Sequence, residues 1–259
     1  MSLFEAIFLG IVQGMSEFLP ISSSGHLLVF HHLFGIEHDS LTFIIVLNMG
    51  SLIPLLVTFR KDVWMLIKKP FQRTTALLLV ATLPLVIVTI LFESYIESFF
   101  GSIRFLPFGF ILTGVILLLS DRLRDGNKTV ETTRFIDAIL IGLAQAAAVL
   151  PGLSRSGSTI TASLARGLDR EQAARFSFLM SIPASIGAIA FRARHIVTGR
   201  ILLEDLDFVN MGFGFVAAAI SGFIAINFML TLVKKAKLKY FAFYYVFALT
   251  LLVVVLLLM

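Results

Sequence analysis

Two short polar stretches interrupt an otherwise apolar chain, and they hold the side chains best suited to chemistry. The first, GIVQGMSEFLPISSSGH, carries a carboxylate at Glu17 and an imidazole at His26. The second, GLAQAAAVLPGLSRSGS, carries a guanidinium at Arg155. A shift of 132 residues aligns the stretches without a gap, and the identical pairs are Gly10 with Gly142, Gln13 with Gln145, Ser22 with Ser154, Ser24 with Ser156 and Gly25 with Gly157. Together the two copies offer acid, base, cation and hydroxyl groups to one site.

The first copy holds the groups that can move protons or attack. Glu17 has apolar neighbours, and a buried carboxylate requires a compensating partner, so we interpret it as functional rather than as a packing residue. Ser23 supplies a hydroxyl from the middle of the serine run that precedes Gly25. His26 is a candidate nucleophile toward phosphorus, a general acid or a metal ligand. Gln13 lies four positions before Glu17, on the same helical face, where it suits a substrate contact or a plain helix contact.

The second copy holds the group that would bind an anion. Arg155 is the one basic residue between Arg134 and Arg166. Its planar fork matches phosphate oxygens, and helix N-termini that begin after the breaks add N–H donors. An internal ion pair with Glu17 is the alternative, and the two arrangements can alternate. The groups expected to help bind substrate are Gln13, Ser22, Ser24, Gly25, Ser154, Ser156, Gly157 and Thr159.

These groups suit phosphoryl transfer better than other hydrolytic reactions. Phosphoryl transfer requires positioning, stabilisation of spread negative charge, and one nucleophile or activated water. Glycosidases require two placed carboxylates, and the motifs supply only Glu17. No P-loop or dinucleotide fingerprint occurs, so nucleotide binding lacks support.

The composition places these stretches in a membrane. The chain has 259 residues, of which 58% are hydrophobic and 14% charged, with a mean hydropathy of +0.96. A water-soluble domain cannot hide that much apolar surface. The sequence contains no basic run with interleaved aromatic residues, so a nucleic-acid partner is not expected. The absence of cysteine excludes disulfides. The N-terminus has no basic segment followed by a cleavage site, so we expect no removable signal peptide.

Six apolar segments are predicted to span the bilayer, and the loops between them differ in charge. Loops 60–73 and 234–239 hold five and four basic residues with at most one acid, whereas loop 93–104 holds two acids and one Arg. Basic loops favour the cytoplasm, which places both termini outside. The predicted spans are 41–59, 74–92, 105–119, 176–191, 208–233 and 241–258.

This topology predicts that each polar stretch enters the membrane and turns back. Residues 135–175 begin and end beside basic loops, and residues 1–40 should begin and end outside. Backbone broken by Pro, Ser and Gly is tolerated at membrane depth only inside protein or beside a wet cavity. The expected fold is an all-α integral membrane protein, a single polytopic domain over 1–259 with six spanning helices and two re-entrant hairpins. Its halves, about 1–130 and 131–259, each hold three spans and therefore form an inverted-topology repeat.

The stretches GIVQGMSEFLPISSSGHL and PGLSRSGSTIT resemble the undecaprenyl-diphosphate phosphatase family, also called bacitracin-resistance proteins. The order of apolar segments also matches, so the resemblance covers nearly the whole chain. It implies hydrolysis of a polyprenyl diphosphate lipid to its monophosphate, which recycles the carrier for cell-wall synthesis. It further implies Mg²⁺ or Ca²⁺ as cofactor, a homodimer, and a bacterial inner-membrane location among lipids, with the site open to the outer face.

The resemblance also assigns roles. The family's catalytic acid, serine and histidine fall on Glu17, Ser23 and His26, and its phosphate-binding arginine falls on Arg155. The family's acidic motif has two glutamates four apart, and Gln13 stands at the first position here, so Glu17 is the expected metal ligand. A polyprenyl-phosphate flippase or an ion-coupled transporter is the alternative function, because inverted repeats with broken hairpins are typical of transporters.

Overall fold

The computed structural model describes residues 1–36, 40–100, 103–197, 207–235 and 238–257. Across these residues the chain is helical, with no β-strand, one isolated bridge between Lys128 and Leu168, and one 3₁₀ turn at Ile103–Phe105. The helices are α1 (Leu3–Phe18), α2 (Ser23–Leu33), α3 (Ser40–Thr58), α4 (Arg60–Lys68), α5 (Arg73–Leu91), α6 (Glu93–Phe100), α7 (Leu106–Ser120), α8 (Phe135–Ala147), α9 (Arg155–Ala165), α10 (Arg170–Val197), α11 (Phe208–Lys234) and α12 (Lys239–Leu257).

Helices occupy every segment predicted to span, although residue 258 lies outside the described part. Four helices are long and apolar enough to cross a bilayer: Arg73–Leu91, Ile103–Ser120, Arg170–Phe191 and Phe208–Lys234. The helix at Thr42–Thr58 makes a fifth span if it is taken with α4, from which it is bent by 85°. The sequence prediction missed the short helices α4 and α6, which lie in the segments expected to be loops.

The two polar stretches fold alike because each supplies its own helix cap. The Ser22 Oγ accepts a hydrogen bond from the Gly25 N–H at 3.3 Å, and the Ser154 Oγ accepts one from the Gly157 N–H at 3.1 Å. Each serine therefore starts the second helix of its pair. Ser22 has a φ of +64°, in the left-handed region that costs a non-glycine residue energy. Gly25 is required for space rather than for conformation, because an added Cβ would overlap the Phe110 ring.

Helix pairs pack reciprocally between the halves. Helix α1 packs on α11 and α8 packs on α5, while α3 also contacts α11 and α10 also contacts α5. Glycines allow backbone contact at these crossings: a Cβ at Gly10 would overlap the Gly214 carbonyl, and a Cβ at Gly142 would overlap the Ala81 carbonyl. Each polar helix pair is therefore fixed against a long helix of the other half.

The outward surface is apolar, as contact with lipid requires. Large side chains such as Leu79, Phe108, Ile220 and Phe243 are more than half exposed, whereas Phe178 and Tyr245 fill the interior. Exposed apolar residues in such numbers would aggregate a water-soluble protein. Together with the apolar helices, this surface indicates a multi-pass membrane protein.

The glycine crossing can be tested by substitution. We expect Gly142→Ala to destabilise the protein by about 1–3 kcal/mol, because its Cβ would meet the α5 backbone, which cannot move aside as a side chain would. Gly212→Ala is the matched control, because nothing lies within 4 Å of its Cβ, and alanine favours the helix by up to about 1 kcal/mol. Thermal unfolding in detergent measures both, and equal effects would contradict the proposed backbone contact.

Candidate active site

One cavity of about 520 Å³ receives the ends of both polar stretches. The second helix of each pair begins at this cavity, α2 at Ser23 and α9 at Arg155, so two helix N-termini meet there. These two residues occupy equivalent positions in the repeat. The polar lining of the cavity consists of Ser16, Glu17, Ser22, Ser23, Ser24, Asn48, Thr89, Gln145, Ser154, Arg155, Ser156 and Ser185.

The rest of the cavity is apolar. Leu85, Val86 and Ile90 of α5 form part of the wall, and Phe100 of α6 and Phe191 of α10 extend it. The cavity therefore has a polar end at the hairpin breaks and an apolar remainder between long helices. Such a shape suits an amphiphile with a charged headgroup and a hydrocarbon tail.

Glu17 lies at the centre of a hydrogen-bond network at the polar end. Its Oε1 forms an ion pair with the Arg155 guanidinium, and its Oε2 accepts hydrogen bonds from Ser23 Oγ at 2.6 Å and Gln13 Nε2 at 2.9 Å. The Glu17 side chain is only 9% exposed, so the ion pair and hydrogen bonds offset its desolvation. The structure thus brings together three of the four residues assigned to catalysis.

Gln13 connects this carboxylate to α3. Its Nε2 also donates to the Asn48 Oδ1 at 2.6 Å, so both amide hydrogens have acceptors, and the 3.5 Å contact with Ser51 Oγ adds little. An ionised glutamate at this position would have no hydrogen to donate, and a protonated one would have a single hydrogen for the two acceptors. Gln13 therefore orients Glu17 from behind the cavity lining. Asn48 was missed as a site residue, although an amide within an apolar segment was a visible signal.

The other expected substrate ligands divide into two groups. Ser22, Ser24, Ser154 and Ser156 line the cavity, whereas Gln13, Gly25, Gly157 and Thr159 do not. The Ser156 Oγ donates to the Leu19 carbonyl at 2.9 Å, which ties the start of α9 to the break after α1. The Thr159 Oγ donates to the Arg155 carbonyl at 2.8 Å. Most of these hydroxyls thus also fix the two hairpins.

His26 lies apart from this group. It lines a second cavity of about 240 Å³ whose other residues, apart from Ser16 and Tyr244, are apolar. Its Nδ1 lies 2.8 Å from the Ser22 carbonyl, which can only accept, so Nδ1 carries the proton. Its Nε2 then accepts from the Tyr244 hydroxyl at 2.7 Å. Sequence reasoning missed Tyr244, because it is one aromatic among many in an apolar helix.

The base of the second hairpin is held by a buried carboxylate. The Asp137 side chain is fully buried and pairs with Lys128 Nζ at 3.0 Å and with Arg166 at 2.7 Å. Asp137 thereby joins the start of α8 to the end of α9 and to the loop before them. This contact fixes the α8–α9 pair at the end opposite Arg155.

The cavity offers few ligands for a metal. Within the described ranges, no three His, Cys, Asp or Glu residues are grouped as a metal site. The hydrogen-bond network around Gln13 contains two groups whose oxygens could bind a metal, the Glu17 carboxylate and the Asn48 amide. This oxygen set fits Mg²⁺ or Ca²⁺ when substrate phosphates and waters complete the shell, since Mg²⁺ is commonly bound by one or two carboxylates together with phosphates.

The fold and the cavity define a multi-pass membrane protein with a charged, hydroxyl-rich site. The sequence profile of the family "Bacitracin resistance protein BacA" matches residues 6–251. Undecaprenyl-diphosphatase of Carboxydothermus hydrogenoformans is 43% identical over 244 residues, covering 94% of each chain. Undecaprenyl-diphosphatases of Halothermothrix orenii and Methanobrevibacter smithii are 43% and 41% identical, again over 94% of each chain. This chain therefore belongs to the bacitracin resistance protein BacA family.

The ion pair at the cavity can be measured by a double-mutant cycle. We expect Glu17→Gln to destabilise the protein by about 1–3 kcal/mol, because Arg155 loses its partner; the cost stays below that of a fully buried pair because Arg155 is 28% exposed. Adding Arg155→Gln should restore part of that loss. Thermal unfolding of the four proteins gives the coupling, and strictly additive effects would contradict a stabilising pair.

Proposed function

We propose that this protein hydrolyses undecaprenyl diphosphate to undecaprenyl monophosphate and inorganic phosphate. The observation that carries the proposal is the meeting of Glu17, Ser23 and Arg155 at the polar end of a cavity whose walls are apolar. The relatives named undecaprenyl-diphosphatase supply the substrate class. They favour a hydrolase over a flippase or an ion-coupled carrier.

The division of the cavity into a polar end and an apolar remainder supports one position for the substrate. The diphosphate lies at the polar end, where Arg155 provides a bidentate fork and the starts of α2 and α9 provide N–H groups. The first prenyl units lie against Leu85, Ile90 and Phe191, and the remainder of the tail lies among membrane lipids. Arg155 exchanges its ion pair with Glu17 for the phosphate oxygens when the substrate enters.

Ser23 is the proposed nucleophile. Its hydroxyl already donates to the Glu17 carboxylate at 2.6 Å, within reach for proton transfer. As Ser23 Oγ forms a bond to the terminal phosphorus, its proton passes to Glu17, and the bond from that phosphorus to the bridging oxygen breaks. Glu17 passes that proton to the departing undecaprenyl monophosphate. Glu17 then takes a proton from the water that attacks the phosphoserine, the bond from phosphorus to Ser23 Oγ breaks, and the proton returns to Ser23 Oγ as phosphate leaves. Arg155 stabilises the negative charge on the phosphoryl oxygens throughout.

His26 and the metal have separate proposed roles. His26 is proposed as a positioning residue, because its two ring nitrogens are engaged by Ser22 and Tyr244 and it fixes the backbone before Ser23. Glu17 and Asn48 would hold a Mg²⁺ or Ca²⁺ ion together with substrate oxygens. When bound, the ion would neutralise phosphate charge.

The proposed topology is six spans and two re-entrant hairpins in an inverted repeat of halves 1–130 and 131–259. The reciprocal packing of α1 on α11 and α8 on α5 supports it, because equivalent helices cross to the opposite half in each case. The loop charges favour outer termini. The family resemblance implies a site open to the outer face of the bacterial inner membrane. A homodimer is the proposed assembly.

The phosphate clamp can be tested with Arg155→Lys. We expect kcat/KM for undecaprenyl diphosphate to fall by about 100-fold or more while the protein stays folded, because lysine lacks the bidentate fork. Phosphate release is measured with purified protein in detergent, where a carrier would have no second compartment to act on. Arg122→Lys in an exposed loop is the control and should be unchanged. Near-normal hydrolysis by Arg155→Lys would refute the clamp.

The nucleophile can be identified by trapping. With substrate labelled on its terminal phosphate and a rapid acid quench, we expect an acid-stable phosphoserine that is absent from Ser23→Ala. Phosphohistidine is acid-labile, so label that survives only an alkaline quench and disappears in His26→Gln would assign attack to His26 instead. Either residue gives a covalent label, whereas label on neither would indicate direct attack by water.

A further inference from the structure

Gln145 is a buried side chain at the active-site cavity whose amide has no use inside the protein. The residue is 1% exposed and lines the cavity beside Ser154 and Arg155. Neither its Nε2 nor its Oε1 has a hydrogen-bond partner among the described residues. Buried amide groups in folded proteins nearly always have hydrogen-bond partners, so a partner from outside the protein chain is expected at this amide.

A comparison of the two copies shows why this amide has no partner in the described part of the chain. Gln145 is the equivalent of Gln13, whose Nε2 donates to Glu17 and Asn48. The position equivalent to Glu17 is Val149 in the second copy, and valine offers no acceptor. In one copy the glutamine therefore holds a carboxylate, while in the other an identical amide lines the cavity without an acceptor from its own copy.

Other buried polar atoms lack partners, but they differ in two respects. They belong mainly to hydroxyls, namely those of Thr58, Thr75, Ser158 and Thr161, together with the His31 ring. A helical hydroxyl can rotate toward the carbonyl four residues earlier, whereas a glutamine amide has no such local acceptor. None of these other residues lines the large cavity within the described part of the chain.

We propose that Gln145 binds the diphosphate headgroup, with Nε2 donating a hydrogen bond to a phosphoryl oxygen beside Arg155. This inference rests on the proposed function and adds a recognition residue to it. The terminal torsion of glutamine is soft, so the amide turns toward a ligand at little cost. The Oε1 then accepts from a water or a protonated phosphate oxygen. Arg155 neutralises the charge of the diphosphate, and the neutral Gln145 amide orients the headgroup through a hydrogen bond.

The test compares Gln145→Met with the wild type. Methionine is similar in size and removes both polar atoms, so unfolding in the absence of ligand should be unchanged or shifted to higher temperature. KM for undecaprenyl diphosphate should rise roughly 10- to 100-fold, as expected for loss of a hydrogen bond to a charged group. The thermal stabilisation that inorganic diphosphate gives the wild type should shrink in parallel. Thr75→Val, which also removes a buried hydroxyl without a partner but lies outside the cavity, should leave KM unchanged.

Two results would overturn the proposal. An unchanged KM and an unchanged diphosphate-induced shift in Gln145→Met would show that the headgroup does not contact the amide. A lowered unfolding temperature without ligand would show that the amide already has a partner within the fold. Gln145→Glu is a second variant for the same measurement. An ionised carboxylate beside the headgroup would repel the diphosphate, so KM should rise further than in Gln145→Met.

The outcome is separable from that of the proposed function. If the wild type released no phosphate, the hydrolase proposal would fail. The increase in unfolding temperature that inorganic diphosphate produces could still be compared between the wild type and Gln145→Met, and it would test the role of Gln145 by itself. If the wild type hydrolysed the lipid and Gln145→Met retained its KM, the hydrolase would stand and the recognition role would fall.

Discussion

The ion pair between Glu17 and Arg155 is the interaction on which the site depends. Each group would be costly alone in an apolar interior, and together they offset that cost. The pair joins one helix break from each half of the chain, so it forms only when the two hairpins face each other. It also keeps a cation and an anion ready for a substrate that can replace one of them.

The geometry that permits this pair comes from small residues rather than from charge. Gly10 and Gly142 let α1 and α8 approach the backbones of α11 and α5. Ser22 and Ser154 then start the following helices at the cavity. Glu17 and Arg155 therefore lie at the ends of packed helices, at breaks that hydroxyl groups cap and tie together.

The two copies use equivalent positions for different purposes. Ser23 and Arg155 occupy equivalent positions, so one repeat presents a hydroxyl where the other presents a cation. Gln13 donates to Glu17, whereas the Gln145 amide lines the same cavity without a hydrogen-bond partner among the described residues. The two copies thus contribute different groups to one site, as the proposed hydrolysis, with its separate nucleophile and phosphate clamp, requires.

Residue types and their spacing were enough to predict most helical segments, the membrane environment and a shared site for Glu17 and Arg155. These predictions follow from composition, from the length of apolar segments and from the cost of an isolated charge in an apolar setting. The family resemblance implied the place of Ser23 in that site. Packing between helices established three further features: His26 pairs with Tyr244 beside a separate cavity, Asn48 joins the Gln13 network, and the Gln145 amide has no partner among the described residues. Those outcomes depend on which side chains meet across helices far apart in the chain, and residue type and spacing do not encode such contacts.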